Sequence, residues 1–210
     1  TQSRSSAASD VYKRQEIHWA ADGADRSALA LRHNWSDLQG LEQLWPQLEH
    51  RHGNDPALEA PHLVPPVTLS FRQLRQGIET AASGFAGLGV SSGDVVALFA
   101  ENGPRWLLAD QGLMRAGAAD AVRGSAAPVE ELRYILADSG AVGLVVESAG
   151  LLERLALTEP QCRRLRFVVL LEGEAPAGWG SAPSADPGSD DDEGEASTAR
   201  ANAASPPCLR

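Results

Sequence analysis

Lysine is almost missing from this chain: of 18 basic residues only Lys13 is a lysine, and the rest are arginines. With one lysine near the start, no P-loop pattern can be written anywhere downstream, and none occurs. Net charge is -10, and from Glu172 onward eight acidic residues stand against Arg200 and Arg210, so nucleic acid is excluded as a natural partner. Cys162 and Cys208, the only cysteines, have neither metal-ligand nor redox spacing, which fits a reducing compartment such as the cytoplasm. No apolar run approaches the roughly 20 residues that span a bilayer, which leaves peripheral membrane contact open. Gly84, Gly87 and Gly89 cluster at a predicted helix end and lack dinucleotide-fingerprint spacing, so they read as packing and capping glycines. His50-Arg51-His52 places two histidines at alternate positions, which diverge on a helix, and no third ligand cluster accompanies them; they read as a solvated helix end.

What is present is a strict alternation from Thr68 to Glu147. Val67 to Leu69 leans to strand, and Ser70 with Gln73 three residues on has the form of a capping box. Leu74, Ile78, Ala81, Ala82, Phe85 and Leu88 then share a helical face that ends at Gly89. Val95 to Ala100 is uninterrupted and apolar, the pattern of a strand covered on both faces. Asn102 is a cap candidate, with Gly103-Pro104 leading into a helix from Trp106 to Met114. A strand over Ala118 to Val122, a helix opened by Pro128-Val129-Glu130-Glu131 and a strand over Gly143 to Val146 follow. Leu151 to Leu157 reads as a short helix, Cys162 to Arg166 as a polar connector and Phe167 to Leu171 as another buried strand. This order predicts an α/β fold, a three-layer lobe with a mostly parallel sheet.

Flanking it, Trp35 to Gly53 has helical spacing, with Ser36 as cap and Pro46 kinking or dividing the helix, and Pro61 to Pro66 is a linker. Ser5 to Gln15 is similar to a translated sequencing adaptor, and Asp10, Glu16, Asp22 and Asp25 are too many acids for a targeting peptide. The expected organisation is a disordered or artefactual leader over 1–30, a globular part over 35–174 and a disordered acidic low-complexity tail over 175–210.

The runs Leu69-Ser70-Phe71-Arg72-Gln73-Leu74, Gly84-Phe85-Ala86-Gly87-Leu88-Gly89-Val90, Gly93-Asp94-Val95-Val96-Ala97-Leu98 and Asn102-Gly103-Pro104-Arg105-Trp106 resemble the N-terminal part of the adenylate-forming, AMP-binding ligase superfamily. Ala121-Val122-Arg123-Gly124-Ser125, with Glu130-Glu131-Leu132 and Ser139-Gly140-Ala141 beyond, is similar to cyanobacterial and plastid long-chain fatty acid ligases, the acyl-CoA and acyl-acyl-carrier-protein synthetases. The resemblance runs from about Trp35 to Glu174. It implies ATP and Mg2+ as cofactors, a fatty acid activated through an acyl-adenylate, and transfer to coenzyme A or acyl carrier protein, in a plastid if the source is eukaryotic. The family's Ser/Thr/Gly-rich loop ending in lysine, its adenine and ribose motifs and its C-terminal catalytic lysine are not in this sequence. The chain therefore reads as a partial N-terminal domain, inactive alone.

Arg123, Gly124 and Ser125 are the candidate substrate-proximal residues. They follow a predicted parallel strand, at the edge where open α/β sheets bind ligands, and in the look-alike ligases this segment faces the acyl side. Arg123 suits a carboxylate or phosphate, or alternatively an ion pair with Glu130 or Glu131. Ser125 lacks the nucleophile-elbow pattern and reads as a turn serine. No catalytic, cofactor-binding or metal-ligating residue is assigned. Two alternatives stay open. A complete non-catalytic α/β interaction module with an acidic tail would also lack these motifs; a phosphoacceptor receiver needs acids clustered at strand ends, where only Glu101 and Glu147 stand.

Overall fold

The structure, a computed structural model, describes residues 38–40, 43–174 and 176, and the backbone alone at 180–181 and 202–205. The chain divides into two compact units, Thr1–Leu44 and Trp45–Arg210. The leader, Ser36 and most of the acidic tail lie outside the described residues. Helix α1 runs over Leu44–His52. Leu38 to Gly40 are not helical, so the long helix expected from Trp35 is replaced by a shorter one. Pro46 falls in its first turn, where a missing N–H breaks no intrahelical bond, and no kink results.

A hairpin of β1 (Pro56–Ala60) and β2 (Val67–Ser70) follows, antiparallel and forming a sheet of its own. This corrects the expectation for Val67 to Leu69, which pairs with the Pro56–Ala60 strand rather than opening the parallel sheet. Helix α2 (Phe71–Gly87) starts as its sequence demands: Gln73 N–H donates to Ser70 Oγ at 3.2 Å, and Ser70 N–H donates to Gln73 Oε1 at 3.0 Å. It ends in a Schellman turn. Val90 N–H reaches Phe85 O and Gly89 N–H reaches Ala86 O, each at 3.0 Å, with Gly89 at φ 86°.

The main sheet contains β3 (Val95–Phe99), β4 (Ala119–Arg123), β5 (Gly143–Ser148) and β6 (Phe167–Glu172), parallel and ordered β4-β3-β5-β6. Helices α3 (Pro104–Arg115), α4 (Val129–Asp138) and α5 (Ala149–Leu155) connect them, with a short α6 (Glu159–Cys162) before β6. Strand alternation sorts the core into two layers. Ala97, Phe99, Leu144, Val146, Val168 and Leu170 face α4 and α5. Val96, Leu98, Val145, Phe167 and Val169 face α2 and α3. Phe99, Leu98, Leu144 and Leu170 are almost fully enclosed, each contributing about 1.5–3 kcal/mol of apolar burial. The result is the predicted three-layer α/β arrangement.

Glycine does its packing elsewhere than the sequence reading placed it. Gly84 and Gly87 face open space, whereas a Cβ on Gly77 would meet Leu108 at 2.7 Å and one on Gly112 would meet the Ala81 methyl at 2.6 Å. Those two glycines let α2 and α3 lie against each other. At the far edge, β7 (Gly180–Ser181) and β8 (Asn202–Ser205) add antiparallel strands beyond β6. There β8 pairs with the outer edge of β6.

Candidate functional site

From β3 the chain passes through α3 to β4, on one side; from β5 it passes through α5 and α6 to β6, on the other. The strand order therefore reverses between β3 and β5, and an open parallel sheet leaves a crevice at the C-terminal ends of such a pair. Ala100 to Gly103 and Glu147 to Ser148 stand at those strand ends, and the loop after β4 lies alongside. That loop begins with Arg123, Gly124 and Ser125, so the three candidate residues stand at the strand edge that binds ligands in such sheets.

Each is held differently. Arg123 ends β4, half exposed, and its Nε donates to Glu131 Oε1 at 2.7 Å while Nη2 donates to Glu131 Oε2 at 3.4 Å. Of the two partners open to it, the one occupied here is the carboxylate in the first turn of α4, and that contact raises the guanidinium pKa, with Glu101 adding at longer range. Nη1 has no hydrogen-bond partner among the described residues. Gly124 lies so close to Glu101 that a Cβ there would stand 2.9 Å from Oε1. Ser125, 7% exposed, is the buried polar residue of the described core, and its Oγ donates to Glu101 Oε1 at 3.3 Å. That hydroxyl is enclosed and its proton is engaged by the carboxylate.

Glu101 and Glu147 had no role assigned from sequence. Glu101 Oε1 also accepts Ala126 N–H at 3.2 Å, and its own N–H donates to Glu147 Oε1 at 3.1 Å. Arg154, in the last turn of α5, donates to Ser125 O at 3.5 Å. Arg105, in the first turn of α3, donates to Leu171 O at the end of β6. The available signal was an acid directly after each of two apolar runs, Val95 to Ala100 and Gly143 to Val146. Asn102, expected as a helix cap, is exposed and caps nothing; Gly103 is the N-cap, followed by Pro104. Trp106 packs against the core layer under α2 and α3, as expected.

At these strand ends stand the Arg123 guanidinium and the carboxylates of Glu101 and Glu147. No lysine lies among the described residues, the acids nearest the crevice oppose phosphate, and among the described residues no group of three or more His, Cys, Asp or Glu is placed to hold a metal ion.

The AMP-binding enzyme family matches residues 46–207. The chain is 39% identical over 139 residues to the chloroplastic long-chain-fatty-acid–acyl-carrier-protein ligase of Arabidopsis thaliana, covering 66% of this chain and 19% of that protein. It is 37% identical over 139 residues to the "Probable acyl-activating enzyme 16, chloroplastic" of the same plant, with the same coverage. It thus spans about a fifth of the length of these relatives. Its fold matches part of a crystal structure of an anthranilate CoA ligase in complex with anthranoyl-AMP, at a TM-score of 0.56 and 24% identity, covering 64% of this chain and 26% of that one. The family match takes in the hairpin, the four parallel strands and the crevice between them, and on that ground the chain belongs to the AMP-binding enzyme family.

Proposed function

We propose that this chain is the N-terminal part of an ATP-dependent long-chain fatty acid ligase, which forms an acyl-adenylate and then a thioester with coenzyme A or acyl carrier protein. The observation that carries the reading is the Arg123-Gly124-Ser125 corner, set at the strand edge beside the switch crevice in a segment 39% identical to a plastid fatty acid ligase. Arg123 contributes an anion donor with one face of its guanidinium unused. ATP, Mg2+ and the catalytic groups are held by parts of the enzyme outside this segment, and a eukaryotic source places it in the plastid.

Alone, the segment is inactive on this reading. Positioning of reactants supplies about 7–11 kcal/mol of a barrier, and the phosphate cradle that does this is not in the sequence. Purified residues 1–210, given ATP and palmitate, form no acyl-adenylate above background; formation at a rate near that of a full-length relative would refute the proposal. Within the full-length enzyme, Arg123→Ala raises the KM for fatty acid about tenfold, the loss of one charge-assisted hydrogen bond. Unchanged fatty acid and ATP kinetics in that variant would remove Arg123 from the site.

A further inference from the structure

The β3–α3 connection, with Glu101 at its centre, ties the end of β3 to β5 and to the loop after β4, and the first turn of α3 adds a tie to β6. Through its main chain it reaches β5, because its N–H donates to the Glu147 carboxylate at 3.1 Å. Its side chain reaches the loop after β4, because Oε1 accepts Ser125 Oγ–H at 3.3 Å and Ala126 N–H at 3.2 Å. Four residues on, Arg105 reaches β6 at Leu171 O. The strand ladder itself has reached its end here, with Ala100 N–H donating to Arg123 O at 3.2 Å. Beyond that bond, Glu101, with Arg154 on the opposite side of Ser125, fixes the corner.

A Cβ on Gly124 would stand 2.9 Å from Glu101 Oε1, so the carboxylate lies directly against the turn, and Ser125 is buried although it sits in a loop at a sheet edge. Loops at strand ends normally stay solvated, since enclosed backbone groups need partners. Here the carboxylate is that partner for one N–H and one O–H, and hydrogen bonds to a charged acceptor are the stronger kind. Moving Glu101 would release Gly124 to Ala126, and with them the backbone that aims Arg123.

We propose that Glu101 is a positioning residue: its carboxylate clasps the Gly124–Ala126 turn to the ends of β3 and β5, and so sets where the Arg123 guanidinium meets the fatty acid carboxylate. This rests on the reading of that corner as substrate-facing. Glutamine at 101 keeps the Oε1 acceptor, and alanine does not, so the pair separates the clasp from the charge.

The test has two arms. In the 210-residue chain, amide exchange at Ala126 is followed by 15N–1H spectra for the parent, Glu101→Gln and Glu101→Ala. Exchange speeds about tenfold in Glu101→Ala and stays within about threefold of the parent in Glu101→Gln. In the full-length enzyme, Glu101→Ala raises the KM for fatty acid about tenfold with the KM for ATP unmoved, and Glu101→Gln restores most of that loss. Unchanged Ala126 exchange in Glu101→Ala overturns the clasp, whatever the kinetics. Faster exchange with an unmoved fatty acid KM, in an enzyme where Arg123→Ala does raise it, overturns the positioning role. If Arg123→Ala and Glu101→Ala both leave fatty acid KM unmoved, the substrate-facing reading of the corner fails, and the inference with it.

Discussion

Replacing Asp120 by asparagine should make this fold more stable at neutral pH and less dependent on pH. Asp120 lies on the edge strand β4 and meets Asp110 of α3. Its Oδ2 is buried without a hydrogen-bond partner among the described residues, and Gln111 Nε2 already donates to Asp110 Oδ2 at 2.6 Å. Two carboxylates have only acceptors to offer each other, so they bond only when one holds a proton. Loss of water, and then the facing Asp110, push the Asp120 carboxyl from its ordinary 3.8 up to about 6.

A raised value in the folded chain means that folding tightens the hold on the proton. The resulting stabilisation is complete below the unfolded value of 3.8 and is lost as pH rises through about 6. At about 1.36 kcal/mol per pH unit the interval amounts to about 3 kcal/mol. Solvent screening of a carboxyl that is only partly buried lowers this to about 1–2 kcal/mol. The asparagine amide brings a permanent N–H donor to Asp110 and does not titrate. In urea unfolding followed by tryptophan fluorescence, the advantage of Asp120→Asn over the parent should grow by about 1–2 kcal/mol between about pH 4 and about pH 7.5. Asp110→Asn should do nearly the same, and the double variant should add little, because either change ends the conflict. Parallel stability curves for parent and Asp120→Asn across that range would refute the reasoning.

Two further substitutions test the fold at other levels. Ser70→Ala removes the side-chain half of the capping box at the start of α2 and should cost about 1 kcal/mol in chemical unfolding, with Ser70→Asp recovering most of it. Gly143→Ala drives a methyl into the Phe167 ring, at a residue paired with Phe167 in the β5–β6 register. That overpacking should destabilise by about 1–3 kcal/mol, and Phe167→Leu in the same chain should relieve part of it if the ring is the obstacle.

Much of the core lobe was legible because its signals are local and redundant. The Ser70–Gln73 spacing, the unbroken run from Val95 and the glycines at 89 and 117 each state an element boundary, and the structure uses them. The same turn chemistry repeats at α3, where Ala118 N–H reaches Leu113 O and Gly117 N–H reaches Met114 O, each at 3.0 Å. Thr158 and Gln161 form a second capping box at α6, with Pro160 beside it, in a stretch that the sequence reading left mostly without structure. Its helix is too short to show periodicity. The β1 strand went unread for a related reason: Pro56-Ala57-Leu58-Glu59-Ala60 has little β propensity, and it is a strand because β2 lies beside it. Gly77 and Gly112 were passed over because a helix-packing glycine is defined by the helix opposite, which a linear pattern does not contain.

The candidate site shows the same division. Arg123 to Ser125 could be found because a strand end in an alternating α/β pattern is a position that sequence can count to. Glu101 and Glu147 could be seen but not understood, since their meaning depends on β5 returning to lie next to β3 after β4 has been laid on the other side. Once that happens, nearly every charge at this edge is engaged in holding backbone: Glu101 takes Ala126 N–H, Glu147 takes Glu101 N–H, Arg154 gives to Ser125 O and Arg105 to Leu171 O. Arg123 differs, because its partner is another side chain. Glu131 is exposed enough for that ion pair to be worth at most about 1 kcal/mol, so an incoming carboxylate can displace or share it at little cost. On the proposed reading, a corner whose backbone is tied by several hydrogen bonds while its Arg123 is held only by an exposed ion pair leaves that guanidinium able to exchange its partner for a substrate carboxylate.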